Sequence, residues 1–176
     1  DSVTPELRKR AKAVNFGIVY GIGDFSLAQD IGVTKRQAKE YIESYLDHYS
    51  GIRNFMKEIV EQAKELGYVT TLYGRRRYIP ELHSPKAPLR AFGERAAMNS
   101  PIQGTAADII KIAMIETSRA LKEADIDAKL ILQVHDELIV EAHESCADKA
   151  AEILRDKMEN AVELSVPLTV DLGIGK

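Results

Sequence analysis

The chain has 176 residues, of which 45% are hydrophobic and 29% charged, a mixture typical of a globular protein with one or two small domains. This composition excludes collagen-like and disordered classes, and no apolar stretch approaches the ~20 residues of a membrane span. The net charge of −3 is unevenly distributed, +4 over residues 1–100 and −7 over residues 101–176. The asymmetry suggests that the first half meets a polyanion, although charge alone favours two solvated helix surfaces. The single cysteine, Cys146, indicates a cytosolic compartment.

Helical signals dominate the first third of the chain. Thr4 followed by Pro5 predicts a helix start, and the helix extends over residues 5–20 because Gly21 then favours a helix end. The face of this helix that we expect to be buried contains Leu7, Ala11, Val14 and Ile18. Further helices are predicted at residues 26–30, 34–49 and 52–66, the second of them opened by a capping box.

The helical spacing of apolar residues ends near residue 68. Two β-rich runs around Gly74 predict a hairpin over residues 68–79. Three prolines predict a loop over residues 80–88. A helix over residues 89–99 follows, and a new, long helix is predicted to start at Ser100 because a proline comes directly after it.

The last third of the chain mixes strands and helices. A hairpin is predicted over residues 128–142, a helix over residues 145–162 and a final strand over residues 168–172. The predicted fold class is α+β, with a mainly helical portion followed by a portion that has a small antiparallel sheet and flanking helices.

One stripe of side chains on the first helix suggests a ligand. Arg8, Lys12, Phe16 and Tyr20 recur every four residues and lie together away from the expected buried face. Two cations followed by two aromatic rings suit a triphosphate and a base, since phosphates attract cations and bases stack on flat rings. The N-terminal end of a helix also favours an anion. The alternative is a surface helix with a buried Phe16, and the spacing alone does not separate the two.

Four segments resemble a known family. The segment RKRAKAVNFGIVYG at residues 8–21 resembles motif B of the bacterial DNA polymerase I family (family A), in which Arg, Lys, Phe or Tyr, and Tyr-Gly are each separated by three residues. The segment LQVHDE at residues 132–137 resembles motif C, a palm hairpin with a metal-binding aspartate at its turn. TLYGRRRYIPEL at residues 71–82 and ERAAMNSPIQGTAADIIK at residues 94–111 are also similar to the family, so the resemblance covers essentially the whole chain.

The resemblance implies roles for the stripe on the first helix. Arg8 and Lys12 are expected to hold the phosphates of the incoming nucleotide, and Lys12 to protonate the leaving pyrophosphate. Phe16 is expected to pack against the sugar and base, and family members with Phe here reject dideoxynucleotides better than those with Tyr. Tyr20 is expected to stack near the template base.

The resemblance also implies contacts with DNA and metal. His135 is expected to touch the primer end, Asp136 to ligate metal, and Glu137 to contribute more weakly to catalysis. The residues expected to contact the primer–template near the new base pair are Arg95, Asn99 and Gln103.

The implied reaction is template-directed DNA synthesis. A primer 3′-hydroxyl attacks the α-phosphate of a deoxynucleoside triphosphate and pyrophosphate leaves, assisted by two Mg²⁺ ions. The second ion needs an upstream motif A aspartate, so we expect this chain to be a C-terminal fragment that is inactive in isolation. The implied partners are primer–template DNA, deoxynucleoside triphosphates, and upstream palm, thumb and exonuclease-like domains, with no membrane. The implied location is the bacterial cytosol, with nucleoid association when DNA is bound.

By the same resemblance, residues 1–95 are expected to form part of the fingers and residues 96–176 part of the palm. The alternative function is a non-catalytic nucleic-acid-binding module. The arginines at 75–77, beside Tyr73 and Tyr78, could meet phosphates and stack bases, or could form only a charged hairpin. Replacing Asp136 by Asn separates the two functions, because only a polymerase would lose activity.

Overall fold

The computed structural model describes residues 3–175 and has an α+β fold, as predicted from the sequence. No helix among these residues has the length and apolar character needed to cross a bilayer. Short 3₁₀ helices lie at Pro80–His83 and Glu144–Cys146. The longer elements are, in chain order, α1 (Pro5–Val19), α2 (Asp24–Ile31), α3 (Lys35–His48), α4 (Ser50–Leu66), β1 (Tyr68–Thr70), β2 (Arg76–Tyr78), α5 (Ala87–Glu123), β3 (Ala128–Val134), β4 (Glu137–Ala142) and α6 (Ala147–Glu159).

The described strands form two separate antiparallel ribbons, β1 with β2 and β3 with β4. The described residues divide into two compact units, one ending at Gln103 and one beginning at Gly104. The division falls within α5, which contributes its first part to one unit and its second part to the other. Whether these units are the expected fingers and palm portions stays a prediction.

The helix starts predicted at Thr4 and Thr34 are confirmed. The Thr4 hydroxyl accepts a hydrogen bond from the backbone N–H of Leu7 at 3.2 Å and so satisfies one of the free donors of the first turn of α1. At α3, Thr34 and Gln37 form the reciprocal capping box that the sequence predicts. Both caps are local features, which is why sequence alone reveals them.

The first unit has two apolar clusters. One joins α1, α2 and α3 around Leu27, Ile31 and Ala38. The other joins α4, β1 and α5 around Ala63 and Val69, and also includes Ile79, Leu82 and Ala97. An ion pair between Lys64 and Glu94, 2.7 Å long, also links α4 to α5.

The predicted buried face of α1 is only partly correct. Ile18 is 2% exposed, but Leu7 is 52% exposed and Ala11 is also exposed. The reason is that α2 and α3 pack on the second half of α1 and on the turn after it, where Ala13, Val14 and Ile22 meet the cluster around Leu27. The first half of the helix instead borders an open cleft, which Leu7 and Ala11 line together with Tyr41 of α3.

The predicted break before Pro101 is wrong. Helix α5 runs continuously over Ala87–Glu123 with Pro101 inside it. The proline removes the N–H that would bond to the carbonyl of Ala97. Next to it, the hydroxyl of the buried Ser100 donates to the carbonyl of Ala96 and keeps a polar contact within the turn. The predicted loop over residues 80–88 is also shorter than expected, because the 3₁₀ helix and the start of α5 occupy part of it.

The second unit contains the β3–β4 hairpin, which α6 packs against, and the second part of α5. Its buried side chains include Leu121 of α5, Leu138 of β4 and Ala150 of α6. Helix α6 is shorter than predicted, and residues 168–172 do not form the predicted strand. The N–H of Val170 instead donates to the Glu159 carboxylate at 3.0 Å, so a side chain takes the place of a neighbouring strand.

Candidate functional site

Helix α1 and its C-cap residue Tyr20 present the four predicted ligand residues on one exposed stripe. The Lys12 ammonium lies 5.7 Å from the centroid of the Phe16 ring. The rings of Phe16 and Tyr20 are stacked at 6.3 Å with only 18° between their planes. Phe16 is 52% exposed and Tyr20 44% exposed, so the alternative of a buried Phe16 is wrong. The stripe is therefore an open row of two cations followed by two parallel rings.

The aromatic end of this stripe opens into a cleft of 650 Å³. Its walls come from α1, from the turn that follows it and from α2, and Arg95 of α5 also lines it. Phe16, Tyr20 and Arg95, expected from the sequence to act on nucleotide and DNA, therefore border one cavity. A guanidinium beside two aromatic rings provides both a charge for a phosphate and a surface for stacking.

Gly21 allows this arrangement. It has a φ of +71°, in the left-handed region, and ends α1 as predicted. A Cβ atom here would lie 2.6 Å from Met98 Cε and 3.0 Å from Arg95 Cγ. Glycine adopts this backbone turn without strain, and it leaves room for the Met98 and Arg95 side chains of α5.

Three predicted DNA-contact residues lie along α5. Because the helix is continuous, the four-residue spacing of Arg95, Asn99 and Gln103 places them within about 80° of one another. Arg95 and Gln103 are exposed and Asn99 is half-buried. The Oδ1 atom of Asn99 is buried and has no hydrogen-bond partner among the described residues. An unpaired buried acceptor is costly, so it identifies Asn99 as a side chain able to receive a donor.

The other predicted residues lie at the turn between β3 and β4, in the second unit. His135 and Asp136 form a two-residue turn, and Val134 pairs with Glu137 across it. His135 has a φ of +54°, in the left-handed region that a residue with a side chain seldom adopts. The turn exposes Asp136 and Glu137 to solvent. Strain of this kind is common at functional sites.

The carboxylates of this turn match a magnesium site only in part. Mg²⁺ prefers oxygen ligands and keeps several waters, which suits Asp136 with Glu137 beside it. Among residues 3–175, no cluster of three or more His, Cys, Asp or Glu side chains could hold a metal ion. The turn therefore offers one or two ligands and needs others from substrate, solvent or another segment.

Comparison with known proteins decides the family. The model of DNA polymerase family A matches residues 1–176. The chain belongs to this family. Its sequence is 51% identical to DNA polymerase I of Bacillus caldotenax and to that of Bacillus subtilis, in each case over 99% of this chain and 20% of the relative. The chain thus spans about a fifth of the length of the curated relatives it matches.

A solved family A structure has the same fold. The POL domain of Pol1 from M. smegmatis, in complex with DNA primer-template and dNTP, matches with a TM-score of 0.90 and 46% identity. The match covers 96% of this chain and 30% of that chain. The resemblance inferred from the motif B and motif C segments is therefore confirmed at the level of the family.

Sequence reasoning missed several residues around the cleft. Ser26 and Asp30 of α2 also line it, and Met98 packs against Gly21. Their only sequence signal is the short spacing between α1 and α2, which places the two helices close together. Arg95 and Met98 reach α1 through tertiary packing, which no local pattern reports.

Proposed function

We propose that this chain is the nucleotide-binding and part of the catalytic region of a longer DNA polymerase, which adds deoxynucleotides to a primer 3′ end. The observation that carries the proposal is the exposed stripe on α1, where two cations lead to two stacked rings beside Arg95. Membership of DNA polymerase family A supports it. In this proposal residues 1–95 belong to the fingers and residues 96–176 to the palm.

The cationic end of the stripe binds the triphosphate. At 4 Å and an effective dielectric constant near 20, each pair of opposite unit charges gains ~4 kcal/mol before desolvation. Arg8 offers a guanidinium fork and Lys12 a point charge, two geometries that hold phosphate oxygens differently. Lys12 also carries the proton that the leaving pyrophosphate takes up, which makes it the general acid.

The aromatic end positions the base and sugar. Phe16 packs against the sugar and base of the incoming nucleotide, and Tyr20 stacks near the template base. One base–aromatic stack contributes ~1–3 kcal/mol and tolerates all four bases, as template-directed synthesis requires. Arg95, Asn99 and Gln103 contact the primer–template near the new pair, where Asn99 Oδ1 gains the donor that it lacks.

The turn between β3 and β4 supplies the catalytic carboxylate. Asp136 would hold Mg²⁺, with Glu137 as a weaker contributor and further carboxylate ligands from the longer protein. Bound Mg²⁺ supplies charge neutralisation at the phosphates and lowers the pKa of the attacking hydroxyl. His135 contacts the primer end, so the primer contact and the carboxylate both come from the two-residue turn between β3 and β4. The partners are primer–template DNA, deoxynucleoside triphosphates and the other domains of the longer protein.

Steady-state primer extension by the longer polymerase tests this proposal. Lys12→Ala is expected to raise the nucleotide KM and to lower kcat, because the variant loses both a phosphate contact and the general acid. Lys39→Ala is the matched control, since Lys39 is an exposed lysine of α3 that pairs with Glu43 away from the stripe. Unchanged extension by Lys12→Ala, or equal losses in both variants, would contradict the assignment of the stripe.

A further inference from the structure

The β1–β2 hairpin has an outward face with aromatic rings and charge. Its register places Tyr68 opposite Tyr78 and Thr70 opposite Arg76, and directly paired residues project from the same side of a ribbon. These four residues are the hairpin face. Val69 projects from the other side and is buried in the apolar cluster of the first unit. The ribbon is therefore anchored on one side and open on the other.

The side chains of the hairpin face are held by one another. The Arg76 guanidinium lies over the Tyr68 ring at 4.7 Å from its centroid. The Tyr68 and Tyr78 rings meet edge to face at 5.6 Å. Tyr78 nevertheless remains 67% exposed. A pre-arranged ring with free surface, next to a fixed cation, loses little entropy when it binds a flat ligand.

The tip and edge of the hairpin extend this surface. Gly74, with a φ of +78°, makes the turn that leaves Leu72 and Tyr73 exposed. Arg77 pairs with Val69 and projects from the anchored side, so Arg76 is the cation of the hairpin face. Consecutive arginines with exposed tyrosines on both sides match the composition of surfaces that bind nucleic acid through phosphate contacts and stacking.

We propose that the hairpin face binds single-stranded nucleic acid, namely the unpaired template strand that has not yet been copied. Only unpaired bases expose their faces to a ring such as Tyr78, whereas the bases of a duplex are already stacked on one another. The Arg76 guanidinium matches the charge of the phosphate backbone. This inference rests on the proposed function for the identity of the strand, but the contacts themselves do not depend on catalysis.

Binding of the longer polymerase to two primer–templates tests the proposal. One substrate has an extension of ~10 unpaired template nucleotides, within the usual range of single-strand site sizes; the other has a blunt end. Tyr78→Ala is expected to raise the Kd for the extended substrate about 5- to 10-fold, the lower end of the loss of one stack, and to leave the blunt substrate unchanged. Tyr78→Phe keeps the ring and is expected to bind nearly as wild type.

Two further variants make the test independent of folding artefacts. Tyr41→Ala removes a comparably exposed tyrosine of α3 and is expected to bind both substrates as wild type. Arg76→Gln is expected to reduce the slope of log K against log salt for the extended substrate by ~0.7, the value for one phosphate contact on a single strand. The proposal is overturned if Tyr78→Ala and Arg76→Gln bind the extension normally, or if they weaken the blunt substrate equally.

Primer extension in the same preparations separates the two proposals. Normal extension with unchanged binding of the unpaired strand refutes the role of the hairpin face and leaves the proposed function intact. Absent extension by the wild-type protein, with weaker binding of the unpaired strand by Tyr78→Ala, refutes the proposed function and supports the hairpin face.

Discussion

Replacing Gly93 by Ala is expected to destabilise the first unit, although it should strengthen a helix. Gly93 lies inside α5, where the chain passes close to the 3₁₀ helix at Pro80–His83. A Cβ atom at this position would lie 2.9 Å from the backbone nitrogen of Leu82 and 3.2 Å from the carbonyl carbon of Glu81. Backbone atoms in a packed core have little room to move, so α5 itself has to shift.

The sign of the effect follows from two opposing terms. Glycine to alanine in a helix interior gains ~1 kcal/mol in helix propensity. Overpacking of a well-packed site costs ~1–3 kcal/mol. The net loss is about 1 kcal/mol, which lowers the melting temperature of a chain of this size by ~2–4 °C.

Gly51→Ala is the matched control. Gly51 lies in the first turn of α4, and a Cβ atom there meets nothing within 4 Å. This substitution is expected to be neutral or stabilising. Urea unfolding, followed by circular dichroism, compares the two variants with wild type. If Gly93→Ala stabilises the protein as much as Gly51→Ala does, the close packing of α5 on residues 81–82 is wrong.

Three other predictions concern single side chains. Thr34→Ala is expected to cost ~1 kcal/mol in urea unfolding because it removes the capping box of α3, and a cost near zero would contradict that cap. The hydrogen bond and charge of Lys157, followed by the hydrogen bond of Asn160, hold the pKa of Asp156 below its usual 3.8. The small stabilisation from this carboxylate is therefore present above pH 3.8 and lost as pH falls through the lower folded pKa. Asp156→Asn should reduce the loss of unfolding free energy at acid pH, and an unchanged loss would refute the assignment. Phe16→Tyr in the longer polymerase is expected to increase dideoxynucleotide incorporation in chain-termination assays, and unchanged incorporation would refute the contact of Phe16 with the sugar.

Local signals in the sequence predicted the elements that depend on local chemistry. The caps at Thr4 and Thr34, the helix end at Gly21 and the turn at Gly74 all involve hydrogen bonds or backbone angles within a few residues. The four-residue spacing likewise predicted the stripe on α1. These features depend little on the rest of the fold.

Features set by tertiary packing were not predictable in this way. Pro101 normally favours a helix break, but α5 continues through it as part of both compact units. Leu7 has the spacing of a buried residue, yet it lines an open cleft beside α3, because the apolar cluster forms only at the other end of α1. Residues 168–172 have a strand-like composition, but a strand forms only where a neighbouring strand accepts its backbone hydrogen bonds.

The candidate site likewise contains residues that local signals predict and residues that only tertiary packing brings together. The residues of the stripe and of the β3–β4 turn are each close in sequence, so motif spacing found them. The cleft depends on Arg95 reaching α1, which follows from the packing of Met98 and Arg95 against Gly21. The hairpin face depends on the register of β1 and β2, which a pattern of alternating residues does not fix by itself.

The most direct test of the account is primer extension by the longer polymerase with Asp136→Asn, beside Asp125→Asn. Asp125 is the other described non-glycine residue with positive φ, and asparagine tolerates that backbone geometry. The account predicts that Asp136→Asn abolishes Mg²⁺-dependent extension while retaining primer–template binding, and that Asp125→Asn extends primers as wild type does. Full extension by Asp136→Asn would contradict the assignment of the turn between β3 and β4 as the catalytic carboxylate site.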